Sequence, residues 1–112
     1  MSTTFRSWTL LSSKPTVSID YCLACNFLLR SSWLTQELLT TFKHELSGVF
    51  LRPSDEAGCF RVKLDDQLIW DRTDIIDDTG NKRGFPDSKE LKNIIRDIIA
   101  PKKDLRHSEI VK

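Results

Sequence analysis

The stretch Thr16-Val17-Ser18-Ile19-Asp20-Tyr21-Cys22-Leu23-Ala24-Cys25 decides how this chain reads. Val17, Ile19 and Tyr21 alternate with Thr16, Ser18 and Asp20, which is the period of a strand with one apolar face. A helical pattern follows from about Asn26 to Ser47, and Gly48 is a natural stop. The two cysteines therefore stand at a strand-to-helix junction with two residues between them. That spacing lets the sulfurs bond to each other. A helix N-terminus there sets backbone N–H groups and a partial positive charge beside a developing thiolate. The pattern is that of a redox dithiol.

Beyond the junction, Phe27, Leu28, Leu34, Leu38, Leu39, Phe42 and Leu46 fall on one side of the helical pattern, the side expected to face a core. Val49-Phe50-Leu51 is a short apolar run suited to a buried parallel strand, with Pro53 expected to end it. Residues 54–58 read as a loop. Phe60, Val62 and Leu64 alternate with Cys59, Arg61 and Lys63. Asp65-Asp66 then makes a tight turn, and Gln67 to Asp71 returns as the second arm of a hairpin. A polar segment runs from Arg72 to Gly84. Asp87, with Glu90 three residues later, has a capping-box pattern, and Leu91, Ile94, Ile95, Ile98 and Ile99 form the buried stripe of a last helix before Pro101.

The order is strand, helix, strand, strand, strand, helix. A right-handed crossover makes the first two strands parallel neighbours. The hairpin adds on the other side of the first strand, and two helices cover the sheet. This is a thioredoxin-like α/β arrangement, β-α-β-β-β-α, with a four-stranded mixed sheet. In it the end of the first strand, the loop at 53–58 and the segment at 72–86 emerge together, so two loops surround the dithiol.

The length of 112 residues fits one domain with a modest core, assigned to 14–101, between a flexible tail at 1–13 and a charged tail at 102–112. A net charge of +1 supplies no field for nucleic acid or an anionic membrane. Apolar stretches are short and interrupted, so no membrane span is expected. Three cysteines, an odd and low count, argue for a reducing compartment, and the expected location is cytoplasmic. Met1 to Lys14 contains Arg6, Lys14, no acid and many Ser and Thr, so mitochondrial targeting is the lesser alternative to a plain tail. A cysteine hydrolase needs a histidine in reach, and His44 and His107 lie in segments away from the dithiol. Zinc needs four ligands, which the remaining cysteine and these histidines do not supply at finger spacing.

Four segments carry a resemblance: Tyr21-Cys22-Leu23-Ala24-Cys25, Gly58-Cys59-Phe60-Arg61-Val62, Leu68-Ile69-Trp70-Asp71-Arg72, and Gly84-Phe85-Pro86-Asp87-Ser88-Lys89-Glu90-Leu91-Lys92. From about Pro15 to Pro101 the chain resembles the selenoprotein W-like group of thioredoxin-fold proteins. Cys25 stands where some of those relatives carry selenocysteine. The resemblance implies a small thiol oxidoreductase or antioxidant with no bound cofactor, reduced by glutathione or thioredoxin, whose partners are glutathione or thiol/disulfide proteins. Two departures stand out. Residues 73–83 form a longer connection than usual, either a flap at the active end or an inert surface loop. Where thioredoxins place a cis-proline, this chain has Glu56-Ala57-Gly58.

The candidate redox residues are Cys22 and Cys25, with the attacking role left open between them. Cys59 is a third thiol, either a reaction partner or a small buried side chain. Leu29 and Trp33 lie four and eight residues after Cys25 and extend a line down the helix, either as a docking strip for a thiol partner or as a surface covered by Phe5, Trp8, Leu10 and Leu11. Phe85 is either a shield and docking residue beside the dithiol or, preferably, a packing aromatic like Trp70. Histidine His44 is expected in solvent. No sequence feature predicts an oligomer, and a monomer is the expected state. Two functions remain: a thiol oxidoreductase, or a non-catalytic binding module whose partner affinity follows the oxidation state of Cys22 and Cys25.

Overall fold

A computed structural model describes residues 14–103 and 105. The expected tail at 1–13, and with it Phe5, Trp8, Leu10 and Leu11, lies outside the described residues, as do His107 and most of the 102–112 segment. The elements are β1 (Thr16–Cys22), a 3-10 turn (Leu23–Cys25), α1 (Leu28–Thr41), β2 (Gly48–Ser54), β3 (Phe60–Leu64), β4 (Gln67–Asp71) and α2 (Ser88–Ile99). The sheet order is β2-β1-β3-β4, with β1 parallel to β2 and the other pairs antiparallel. The thioredoxin-like topology read from the sequence is the one observed.

Register follows the alternation. Val17, Ile19 and Tyr21 stand opposite Leu64, Val62 and Phe60. All six side chains are buried. Leu34, Leu38 and Phe42 of the first helical region and Leu91 and Ile95 of α2 join the same core. Both helices therefore cover one face of the sheet, and the other face carries the polar set Ser18, Asp20, Arg52, Arg61 and Lys63. On that face Arg52 pairs with Asp20 at 2.8 Å across neighbouring strands.

Several boundaries differ from the sequence reading. The first helix is shorter at both ends than 26–47. At its start, the ring closed by Cys22 and Cys25 winds as a 3-10 turn, and Asn26 leaves it in the left-handed region at φ 58°. Asparagine tolerates that conformation. At its end, Phe42 has φ −113° and ψ 37°, and the chain closes into a turn in which Leu46 N–H returns to the Phe42 carbonyl at 3.0 Å. Leu28 and Leu39, expected in the core, are 49% and 41% exposed. The buried arc centres instead on Ser31, Leu34, Leu38 and Thr41, with Glu37 at its edge. Ile98 of α2 is likewise exposed.

The run Val49-Phe50-Leu51 is parallel to β1 as expected, but β2 is an edge strand rather than a buried one. Only alternate residues face the helices, so Phe50 is 57% exposed. Pro53 does not end the strand, which continues to Ser54 with Pro53 opposite Tyr21. An edge position tolerates a residue with no N–H donor. At the hairpin, Asp65 supplies the positive φ of 54° that a two-residue turn needs.

The two helices are joined by a pair that periodicity does not predict. Lys92 Nζ sits 2.7 Å from Glu37 Oε1, with both side chains buried. Each charge alone would be costly there, and each is tolerated because the other is present. Lys92→Met is expected to lower unfolding stability by about 3–5 kcal/mol, because Glu37 loses its partner. Adding Glu37→Leu to that variant is expected to restore most of the loss, as measured by urea denaturation. A single variant as stable as the parent would contradict this account of the pair.

Candidate redox site

The site is built at the C-terminal end of β1. Cys22 is the last residue of that strand and is 1% exposed. Cys25 closes the 3-10 turn and is partly exposed. Their sulfurs are bonded to each other, with Cα atoms 5.4 Å apart. The geometry brings the pair together as the spacing required, but it moves the helix. Because α1 begins at Leu28, the cysteines precede its first turn by several residues and do not cap it. The boundary read as about Asn26 is corrected to Leu28, with Phe27 rather than a cysteine at the N-cap.

Both flanking loops reach the site, as the topology implied. Cys22 N–H donates to the Cys59 carbonyl at 2.7 Å, which ties the motif to the residue preceding β3. Arg72 Nε donates to the Gly58 carbonyl at 3.0 Å and joins the loop before β3 to the segment after β4. Gly58 has φ 74°, which favours glycine, and a Cβ there would lie 3.1 Å from the Arg72 guanidinium, which would have to shift. Every peptide bond among the described residues is trans, including those at Glu56-Ala57-Gly58.

Phe85 takes the packing role. Its ring meets Phe27 edge-on and Phe60 at a tilt, each with centroids 4.7 Å apart. Arg30 stands over the Phe85 ring at 4.5 Å, and Arg72 lies between the Phe27 and Phe85 rings at 5.5 and 5.9 Å. These two guanidinium groups gather on the Phe27 and Phe85 rings, and no sequence spacing announced them. Trp70 is buried and donates its indole N–H to the Gly84 carbonyl at 2.7 Å, while Arg83 covers its face at 3.9 Å.

Cys59 is 3% exposed. Its sulfur lies 3.7 Å from the Asp20 carbonyl and accepts an N–H from Arg61 at 3.4 Å. Arg61 also binds Glu56 and Asp71. The Arg61 hydrogen bond holds the Glu56 carboxyl below its ordinary range. For Asp71, burial pushes the carboxyl up, but the Thr73 N–H and hydroxyl together with Arg61 outweigh it and bring it below its usual value. The Arg61 guanidinium is raised in turn, through Glu56 and Asp71, and stays charged.

Leu29 and Trp33 are 82% and 48% exposed and line an open groove on α1 with Asn26, Arg30, Ser32 and Gln36. His44 is exposed as expected. The 73–83 segment is not featureless. It turns back on itself through an Ile75–Lys82 bridge, and Arg83 N–H returns to the Asp74 carbonyl at 2.8 Å.

A thioredoxin-like sheet with a bonded Cys-x-x-Cys at the end of its first strand defines a small dithiol protein. The chain belongs to the Rdx family, whose model matches residues 16–97. Among solved structures, a selenoprotein W-related protein from Vibrio cholerae is 41% identical over 77% of this chain and 98% of its own, with a TM-score of 0.65. A protein from Bordetella parapertussis is 40% identical, covering 75% of this chain and 96% of its own, with a TM-score of 0.64. No curated protein gives a match. The selenoprotein W-like resemblance read from the sequence therefore holds.

The turn at 77–81 gives a pH prediction. Asp77 accepts hydrogen bonds from the Thr79 and Asn81 side chains and from both of their backbone N–H groups. Through Thr79 first and then Asn81, its carboxyl is lowered from 3.8 to about 2. Because the folded value is depressed, the turn is fully supported above the unfolded value and loses that support as pH falls through the folded one. An NMR titration of the Thr79 and Asn81 amides is expected to show a midpoint near 2. A midpoint at the ordinary carboxylate value would contradict the bonding described.

Proposed function

We propose that this protein exchanges disulfides with small thiols or thiol proteins, with Cys25 as the attacking sulfur and Cys22 as the resolving one. The observation that carries this assignment is the difference in burial: Cys22 is 1% exposed and Cys25 is partly exposed. An incoming disulfide can reach only a sulfur that water can reach. The match of Cys25 to the position of selenium in relatives favours the same choice.

The steps balance as ordinary thiol–disulfide exchange. In the reduced protein, the Cys25 thiolate attacks one sulfur of a substrate disulfide, and the other leaves as a thiolate with the electron pair. The Cys22 thiolate then attacks Cys25 Sγ, forms the internal disulfide and releases the second substrate thiol. Two electrons have passed to the substrate. Two glutathione molecules, or one thioredoxin dithiol, return the pair to the reduced state without any bound cofactor. The exposed Leu29 and Trp33 offer a thiol partner an apolar surface one to two helical turns from the motif.

The test is turnover of a model disulfide with glutathione, or with thioredoxin and its reductase, for the parent and two variants. Cys25→Ser is expected to reduce turnover to background. Cys22→Ser is expected to trap a mixed disulfide on Cys25 that resolves only with excess thiol. Turnover unaffected by both substitutions would overturn the proposal. A single stoichiometric oxidation without turnover would favour the redox-sensitive binding module instead.

A further inference from the structure

Cys59 is the thiol that the exchange reaction above leaves unused, and the sheet dictates where it sits. In the antiparallel pairing of β1 with β3, Asp20 lies opposite Arg61 and Tyr21 opposite Phe60. Extending that register one step past the last pair, just before β3, sets Cys22 opposite Cys59: the Cys22 N–H donates to the Cys59 carbonyl at 2.7 Å, while the Cys59 N–H turns away to the Glu56 carbonyl at 3.2 Å. Directly opposed residues project their side chains to the same side of a sheet. The surroundings of the Cys59 sulfur agree, because it touches the Asp20 carbonyl and the guanidinium of Arg61, which projects from the helix-free face.

Opposed residues at a hydrogen-bonded antiparallel position have Cα atoms about 5.5 Å apart. Disulfides span Cα separations of roughly 4.4–6.8 Å. The existing bond from Cys22 to Cys25 spans 5.4 Å. By the Cα spacing of its register, Cys22 has a second candidate partner across the sheet besides the one along the chain, and a bond there would also need the two Cβ atoms to close to about 4 Å. Cys22 and Cys59 are both buried, and Cys25 is the more exposed of the three.

We infer that Cys22 is shared between two partners, and that the oxidised protein interconverts between a Cys22–Cys25 and a Cys22–Cys59 disulfide. The step rests on the exchange chemistry proposed above. The Cys59 thiolate attacks Cys22 Sγ, the Cys22–Cys25 bond breaks, and its electron pair leaves on Cys25 Sγ. The proton given up by the Cys59 thiol is recovered at Cys25, so the isomerisation consumes no oxidant or reductant. Its consequence is a division of labour. The oxidising equivalent rests in a buried disulfide, while the Cys25 thiolate is free at the surface to attack the next substrate disulfide, whose second sulfur leaves as a thiolate.

The test uses the intact parent chain oxidised by one equivalent of diamide, acid-quenched, denatured, alkylated and mapped by mass spectrometry. Each molecule with one disulfide carries one alkylated cysteine. The inference predicts two populations, one labelled on Cys59 and one labelled on Cys25, with the second absent from a Cys59→Ala variant. Label on Cys59 alone in the parent would overturn the shared-cysteine inference and leave the exchange reaction intact. Label on all three cysteines would instead remove the exchange reaction itself.

Discussion

β1 is hydrogen-bonded along its whole length to β2 on one side and to β3 on the other. A strand held on both edges cannot slide, since a one-residue slip would turn Val17, Ile19 and Tyr21 out of the core. Cys22 is the last residue of this strand, so its backbone is fixed by the same pairing. Its sulfur inherits that fixed origin, and Cys25 comes back to it through one turn of 3-10 backbone and a left-handed Asn26. The site therefore combines one sulfur anchored to the sheet with another on a short surface turn. Thiol–disulfide exchange calls for such an arrangement, because one sulfur must meet a partner while the other waits in a constant position.

The loops around the site are held by polar and aromatic contacts rather than by further secondary structure. Arg72 ties Gly58 to the segment after β4, Trp70 ties β4 to Gly84 at the far end of that segment, and Phe85 wedges between Phe27 and Phe60. Arg61 gathers Glu56, Asp71 and the Cys59 sulfur on the face without helices. The Arg61–Glu56 pair, half open to solvent, adds little to stability by itself. The effect of these contacts is geometric, since they fix three chain segments about the end of β1. The energetic weight lies in the apolar core and in the Glu37–Lys92 pair, where a lone charge would be strongly destabilising.

Much of this was legible in the sequence because it depends on short periods. The alternation of Val17, Ile19 and Tyr21 and of Phe60, Val62 and Leu64 fixed two strands and their buried face. The dithiol spacing and the order of elements then placed the loops around Cys22 and Cys25. What depended on partners distant in the chain was not legible. Lys92 reads as a surface lysine until Glu37, 55 residues earlier, is seen opposite it. Phe50 reads as core in an apolar run, because periodicity does not distinguish an edge strand from a central one. The late start of α1 follows from the sulfur bond and the left-handed Asn26, neither of which a helical pattern reports. The facing of Cys59 and Cys22 needed only the register, and the alternation of Cys59 with Phe60 already hinted at its side of the sheet.

The central claim is that the sulfurs of Cys22 and Cys25 are coupled reversibly. The most direct measurement is an equilibrium titration of the protein across a series of glutathione redox buffers, with the bonded cysteines mapped at each point. The account predicts a single two-electron transition in which Cys22 passes between free and internally bonded states, identical when approached from the oxidised and the reduced side. A Cys22 that remains a free thiol across the series, or a bond that reduction opens and oxidation does not restore, would contradict it.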